Sequence, residues 1–231
     1  MATKWEQELD QIRSARREQI MEATYQLVLE KGLIGLTIVD IVKRAEISRV
    51  TLYKYYSSIH EIVFDIQLKL LNELSVLQDE RLQGKNGMEK LQDYFASFIH
   101  MYRSHPDHFR FLALFDQYYQ TAYPTTELEE QYHSFTKQGI LLIEHIIEEG
   151  LLDGSIRKGT NPAMMAQILS HITMGTTQRI AVRSEIYKTE SRVDSEEMLA
   201  FLMDFLAESL AAEGKAEGAA PPSTMTFGTA P

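Results

Sequence analysis

The sequence predicts an all-α chain of about nine helices, and three observations predict it. Proline is excluded from helix interiors, and of six prolines none precedes position 106 while Pro221, Pro222 and Pro231 fall in the last eleven residues. Apolar residues recur at spacings of three and four, as in Ile20, Ala23, Leu27 and Val28, in Ile62, Ile66, Leu70 and Leu74, and in Ile140, Ile143, Ile147 and Leu151. That is the period of a helix, not the alternation of a strand. Start signals of the capping-box form stand at Thr37/Asp40, Ser58/Glu61, Ser104/Asp107, Thr126/Glu129 and Asp194/Glu197, each opening an apolar-periodic stretch.

Taken in order, these signals predict helices near 5–31, 37–44, 48–55, 59–82, 87–104, 106–120, 126–150, 162–184 and 194–213. The first closes at Lys31-Gly32, the second opens on the Thr37 box and the third on Ser48. The fourth starts from Ser58, the sixth at Pro106 and the eighth at Asn161-Pro162, a cap with proline at the first helical position. From Gly214 onward the chain is mostly Gly, Ala, Pro, Ser and Thr, with little to bury, and a disordered tail is expected.

At 231 residues, 44% hydrophobic and 24% charged, the chain can bury a sizeable core. It holds no cysteine, which excludes disulfides, thiolate metal sites and cysteine nucleophiles and makes a reducing cytoplasm the expected setting. The opening MATKWEQELD is charged throughout and does not read as a signal peptide. The most apolar stretches, Gly139 to Ile147 and Met198 to Leu210, are too short or too interrupted by charge to span a membrane.

A net charge of -10, taken whole, argues against nucleic acid as a partner. Its distribution argues the other way, because residues 13–60 carry net +3 and residues 61–231 net -11. Within the basic segment, TIVDIVKRA and SRVTLYKY flank a tight turn and form a candidate helix-turn-helix. On the second of these helices Leu52 and Tyr56, four apart, face inward, while Val50 and Lys54 lie opposite, Thr51 and Tyr53 flank them and Arg49 projects from the first turn. A guanidinium able to chelate a guanine edge, a branched methyl surface for thymine, a hydroxyl, and phenol and ammonium donors for phosphate are the chemistry of a DNA reader.

The stretch from Ile20 to Ile62, with LEKGLIGLTIVDIVKRAEISRVTLYKYYSSIHEI at its heart, resembles the DNA-binding domain of the TetR family of bacterial transcription regulators. The match runs through Lys31-Gly32, Thr37, Ile41, Ala45, Ile47-Ser48, Thr51-Leu52-Tyr53 and Tyr55-Tyr56. The resemblance implies that Arg49, Val50, Thr51, Tyr53 and Lys54 read or touch bases beside the Ser48 cap, and that Thr37 and Tyr55 anchor phosphate. Two positions depart from the pattern. Glu46 stands in the turn where the family usually has glycine, which asks a non-glycine residue for a left-handed backbone. Ile59 stands where the family usually has lysine, which removes a phosphate contact, and Arg13, Arg16 and Arg17 are available to replace that charge.

The resemblance further implies a DNA-binding domain over 1–58, a ligand-binding and dimerisation domain over 59–213 and the tail over 214–231. Leu151 to Arg157 with Asn161-Pro162 resembles the family's link between its seventh and eighth helices, and the last two helices would then pair with a second copy. Ala166, Ser170, Thr173 and Gly175 permit close approach, and Leu199, Leu202, Phe205, Leu206 and Leu210 form a wide apolar stripe, although the same residues would equally complete a monomer core. Residues 94–135 hold twelve of the chain's 22 aromatics, which with the resemblance suggests an aromatic ligand pocket involving Phe98, Tyr102, Phe111, Phe115 and Tyr118; core packing is the competing reading.

The expected function is that of a homodimeric repressor released from a pseudo-palindromic operator by an apolar or aromatic small molecule, acting in the cytoplasm, with no catalytic residue, cofactor, metal or membrane partner. The alternative is a helical small-molecule-binding or di-iron enzyme with a vestigial helix-turn-helix. Glu130 and His133 have the spacing of half a di-iron motif, without a second pair, and His105 and His108 straddle Pro106. No glycine-rich phosphate loop or nucleophile motif is present.

Overall fold

The computed structural model describes residues 4–190 and 193–212, so the tail expected from Gly214 onward lies outside the described residues. Those residues form nine helices: α1 (Lys4–Lys31), α2 (Ile38–Arg44), α3 (Arg49–Leu52), α4 (Ile59–Arg81), α5 (Gly87–Ser104), α6 (Pro106–Tyr118), α7 (Thr126–Asp153), α8 (Pro162–Glu190) and α9 (Ser195–Leu210). The all-α expectation holds, and among the described residues the extended pairing is a single bridge between Ile156 and Ala211. None of these helices is long and apolar enough to cross a membrane.

Most starts obey the caps read from the sequence. Thr37 makes a full capping box with Asp40, Ser58 accepts from the Glu61 amide, Asn161 from Met164 and Asp194 from Glu196 and Glu197. Two starts differ. The predicted Ser104 cap instead turns its hydroxyl back to the His100 carbonyl inside α5, because Pro106 forces the residue before it, His105, out of the helix at φ -141. At α7 the cap is Thr125, one residue ahead of the predicted Thr126; adjacent threonines carry the same local signal. At α5 the cap is Asn86, whose side chain accepts from the Glu89 amide, a signal outside those read from the sequence. Helices α7 and α8 run beyond the expected ends at 150 and 184, and α3 closes earlier, giving way to a turn over residues 53–55.

Helix α4 is the axis of the molecule, packing against α1, α5, α6 and α7. Ile62, Val63, Phe64, Ile66 and Gln67 are all buried, so this turn and a half has no free face, as expected of a helix enclosed on every side. The residue inside that run with partial exposure, Asp65, is held by a cation: the Arg17 guanidinium of α1 pairs with its carboxylate. Arg17 also stacks 4.5 Å over the Tyr56 ring and donates to the Tyr55 carbonyl, while the Tyr56 hydroxyl donates to Asp65 at 3.0 Å. Burial holds the Tyr56 phenol well above its ordinary pKa, so it stays a donor. One guanidinium thereby ties α1, the segment after α3 and α4 together.

The α5–α7 crossing depends on two glycines. A methyl group at Gly87 would overlap the Gly150 backbone, and one at Gly150 would meet Ile156 Cδ1 at 2.6 Å. Beyond Gly154, left-handed at φ 73, the chain returns to cap α5 from outside: Asp153 accepts from the Gly87 amide at 2.8 Å and Ser155 from Met88 at 3.0 Å. The α8 and α9 helices then close the body, with Ala166, Thr173, Leu199, Leu206 and Leu210 buried within the single chain.

Gly87→Ala should lower the unfolding free energy by about 3 kcal/mol, since the overlap is with backbone and not with a movable side chain; chemical denaturation that leaves stability unchanged would contradict this crossing. For the Arg17–Asp65 pair, a double-mutant cycle of Arg17→Met and Asp65→Asn should return a coupling of about 1–2 kcal/mol, the range of a charge-assisted hydrogen bond. Additive losses would mean that the pair is only a surface contact.

Candidate nucleic-acid interface and ligand cavity

Helix α2 ends in a Schellman-type turn, with Ile47 N–H donating to Val42 O at 3.0 Å and Glu46 N–H to Lys43 O at 3.4 Å. The geometry requires a left-handed residue at Glu46, and Glu46 adopts φ 51, the conformation its departure from glycine called for. This turn sets the angle between α2 and α3. Ser48 then caps α3, accepting from Thr51 N–H at 3.0 Å, and its hydroxyl lies 2.9 Å from that of Thr51.

The inward pair is as the register predicts: Leu52 is 0% and Tyr56 2% exposed. The outward face carries Val50 at 70% and Tyr53 at 56% exposure beside exposed Arg49 and Lys54. Charge pairing sets this face apart. Arg44 forks onto Glu30, Lys31 pairs with Asp40 at 2.5 Å and Lys69 with Glu18. Among the described residues Lys43, Arg49 and Lys54 form no ion pair, so cationic charge is left uncompensated at α3 and the end of α2.

The two candidate phosphate anchors differ. Thr37 is occupied by its capping box, its hydroxyl 2.5 Å from Asp40 Oδ2, and hydrogen bonds from Lys31 and Thr37 hold the Asp40 carboxyl down to about 2. Tyr55 is half-buried and offers its backbone carbonyl to Arg17. Of the three arginines available in place of the missing lysine, Arg17 is committed to Asp65, Arg16 binds Gln19 and Arg13 stands 3.8 Å from Asp10 on the surface. Ile59 is half-buried and packs on the core.

On the other side of α4 lies a cavity of about 680 Å³ between α4, α5, α6, α7 and α8. Of the five aromatics expected to line a pocket, Phe98 does so. Phe111 packs on Tyr25 of α1, with ring centroids 5.5 Å apart, and Phe115 on Phe64 at 4.9 Å. Tyr102 is buried near Ser195 at the start of α9, and Tyr118 sits on the surface beside His60 and Tyr119. The lining draws instead on Tyr94, Tyr132 and Phe135 of the same aromatic stretch and on residues the sequence reading passed over, among them Gln67, Asp116 and Gln178. A signal for Gln67 existed, a polar residue at a core-facing position of α4; the others needed the helix packing.

The cavity and the reading helix are mechanically close. Phe64 contacts Phe115, Tyr119, Tyr123 and Tyr132, and Tyr132 and Gln67 line the cavity. One turn away, His60 Nδ1 lies 2.7 Å from the Tyr119 hydroxyl. At the α1–α4–α6 junction, His108 is pushed down to about 4, chiefly by burial. Among the described residues no group of three or more His, Asp or Glu is placed to hold a metal ion.

Residues 20–66 match the family profile described as bacterial regulatory proteins, tetR family. No curated protein sequence matches the chain. Among solved structures, the chain is similar to a ketosteroid transcriptional regulator of Mycobacterium tuberculosis, with TM-score 0.64 and 17% identity over 85% of this chain and 95% of that one. It is also similar to a TetR family transcriptional regulator of Agrobacterium tumefaciens, with TM-score 0.68 and 12% identity over 87% and 100%. A fatty acid degradation regulator of Bacillus halodurans gives 0.63 and 16% over 83% and 94%. The likenesses establish the all-α fold of TetR-type regulators, and within it residues 20–66, which hold α2 and α3, match the profile of the tetR family of bacterial regulatory proteins.

Proposed function

We propose that the chain is a homodimeric DNA-binding repressor acting in the cytoplasm, released from a pseudo-palindromic operator when a small molecule fills the cavity between α4 and α8. The observation that carries this reading is the outward face of α3, where Arg49, Val50, Tyr53 and Lys54 are exposed and both cations are unpaired, while Leu52 and Tyr56 anchor the helix beneath. In this reading Arg49, Val50, Thr51, Tyr53 and Lys54 meet base edges, and the Tyr55 phenol meets phosphate. Thr37 contributes by fixing α2 through its cap, since its hydroxyl is already bonded.

A palindromic site needs two reading heads related by a two-fold axis. The dimer is assigned to α8 and α9, keeping Gly175 and Phe205 of the residues their sequence suggested and adding others. Most of the small and apolar residues expected there complete the single-chain core. A second apolar row faces outward: Ile168 and Val182 flank Gly175 at intervals of seven on α8, continued by Met164 and Ile186, and α9 exposes Phe201 and Phe205. A methyl at Gly175 would meet nothing, which leaves room for a second backbone. Exposed apolar rows of this length mark association surfaces.

Release follows from α4. Its Phe64–Gln67 segment faces the cavity side and Asp65 holds Arg17 and Tyr56, so an occupant that shifts α4 shifts α3 with it. Loss of simultaneous contact with both half-sites at a coupling of about 1–3 kcal/mol would lower operator affinity roughly 5- to 150-fold.

On an operator selected from random DNA, Arg49→Ala should weaken binding by about 1–3 kcal/mol and relax preference at one base pair per half-site. Tyr55→Phe should weaken operator and random duplex alike. Equal loss on both DNAs for Arg49→Ala would remove α3 from the role of reader. In sedimentation, Phe201→Glu with Phe205→Glu should convert dimer to folded monomer, whereas Leu206→Glu should unfold the chain; a normal dimer after the first pair of changes would place the interface elsewhere.

A further inference from the structure

We infer that the cavity selects an organic cation, an apolar or aromatic body bearing a positive charge that sits against Asp116 of α6. The inference rests on the reading of this cavity as a ligand site and adds the charge of the ligand to it.

Four features of the lining lead there. First, no lysine or arginine is among the described residues that line the cavity, where Asp79 and Asp116 stand with His133 and His171; no permanently cationic side chain is there to meet a carboxylate or phosphate. Second, Asp116 forms no ion pair among the described residues. Its one hydrogen bond is from Gln178 Nε2 at 2.9 Å. Asp116 is exposed at the cavity lining, yet the protein packed around its carboxylate raises its pKa through loss of solvation. A carboxylate less well solvated than a free one gains more from a cation. Third, Gln67 is 1% exposed, lines the same cavity, and its carboxamide oxygen has no hydrogen-bond partner. The Gln67 side chain also meets the Tyr132 phenol, which places an amide short of one partner at the cavity wall. Fourth, aromatic faces stand beside the acceptors: Tyr94, Phe98, Tyr132 and Phe135 line the wall, and the Asp116 charge reaches the Tyr132 phenol closely enough to help raise its pKa, after burial. Carboxylate with aromatic faces is the donor set that holds ammonium-type cations, and the volume suits a drug-sized molecule.

The test is titration of the full chain with three probes, the cation tetraphenylphosphonium, the nearly isosteric anion tetraphenylborate and the neutral dye Nile red. The cation should bind at least about tenfold more tightly than the anion and displace Nile red. Asp116→Asn should cut cation affinity about tenfold and leave Nile red affinity unchanged; the variant should fold, since it removes an unpaired charge and keeps an acceptor for Gln178. Equal affinities for the two ions, or an unchanged cation affinity in Asp116→Asn, would overturn the charge selection while the cavity stood as a ligand site. Failure of all three probes to bind would overturn the ligand-site reading and this inference with it. Cation binding that spares operator affinity would remove ligand release and uphold the charge selection.

Discussion

Helix α4 has to satisfy two interiors with one short stretch of chain, and this constraint organises the molecule. Between Ile62 and Gln67 it presents buried side chains in every direction, some toward α1 and some toward α6 and α7. Such a helix cannot rotate or slide without disturbing both sides, because packed side chains interlock and do not deform continuously. Asp65 adds a directional element, holding Arg17 and Tyr56, and Phe64 binds the other side into a ring cluster that reaches the cavity through Tyr132. The contacts to Arg17 and Tyr56 and those to the cavity rings leave one turn of α4, from Phe64 to Gln67.

Charge is distributed with similar economy. Among the helices around α3, Arg17, Lys31, Arg44 and Lys69 are paired with Asp65, Asp40, Glu30 and Glu18. These pairs stabilise the domain modestly where they are exposed, and from α2 through the turn after α3 they leave Lys43, Arg49 and Lys54 as the cations outside an ion pair among the described residues. The remainder of the chain is strongly acidic, net -11 over residues 61–231, and would be repelled by a polyanion. The basic segment around α3 is the side such a partner would be drawn to. The same acidity extends into the cavity, where Asp79 and Asp116 stand with no lysine or arginine among the described lining residues.

Local chemistry explains why much of this was legible in advance. Capping at Thr37, Ser48, Ser58 and Asp194 involves groups three residues apart or fewer, and the inward placement of Leu52 and Tyr56 follows from helical period alone. The left-handed backbone at Glu46 was foreseeable because a turn that closes on Val42 needs it whatever the side chain. Where local signals tied, as at Thr125 and Thr126, or where proline overruled a cap, as at Ser104, the capping residue differs while the helix still starts where expected.

The sequence by itself determined the helices, their order and the face of α3 that turns outward, because backbone hydrogen bonding, capping and a period of 3.6 residues act within a few positions of one another. Tertiary structure alone decided which apolar and polar residues share a space. Leu199 and Leu206 and the exposed Phe205 belong to one stripe in sequence, and Phe98 and Phe111 to one aromatic run, yet they part company once helices cross. Asp116 of α6, Gln67 of α4 and Gln178 of α8 lie far apart along the chain and line one cavity. Their convergence is set by close approaches such as Gly87 on Gly150. The angle at which two helices cross depends on the side chains of both, and no single segment carries that information.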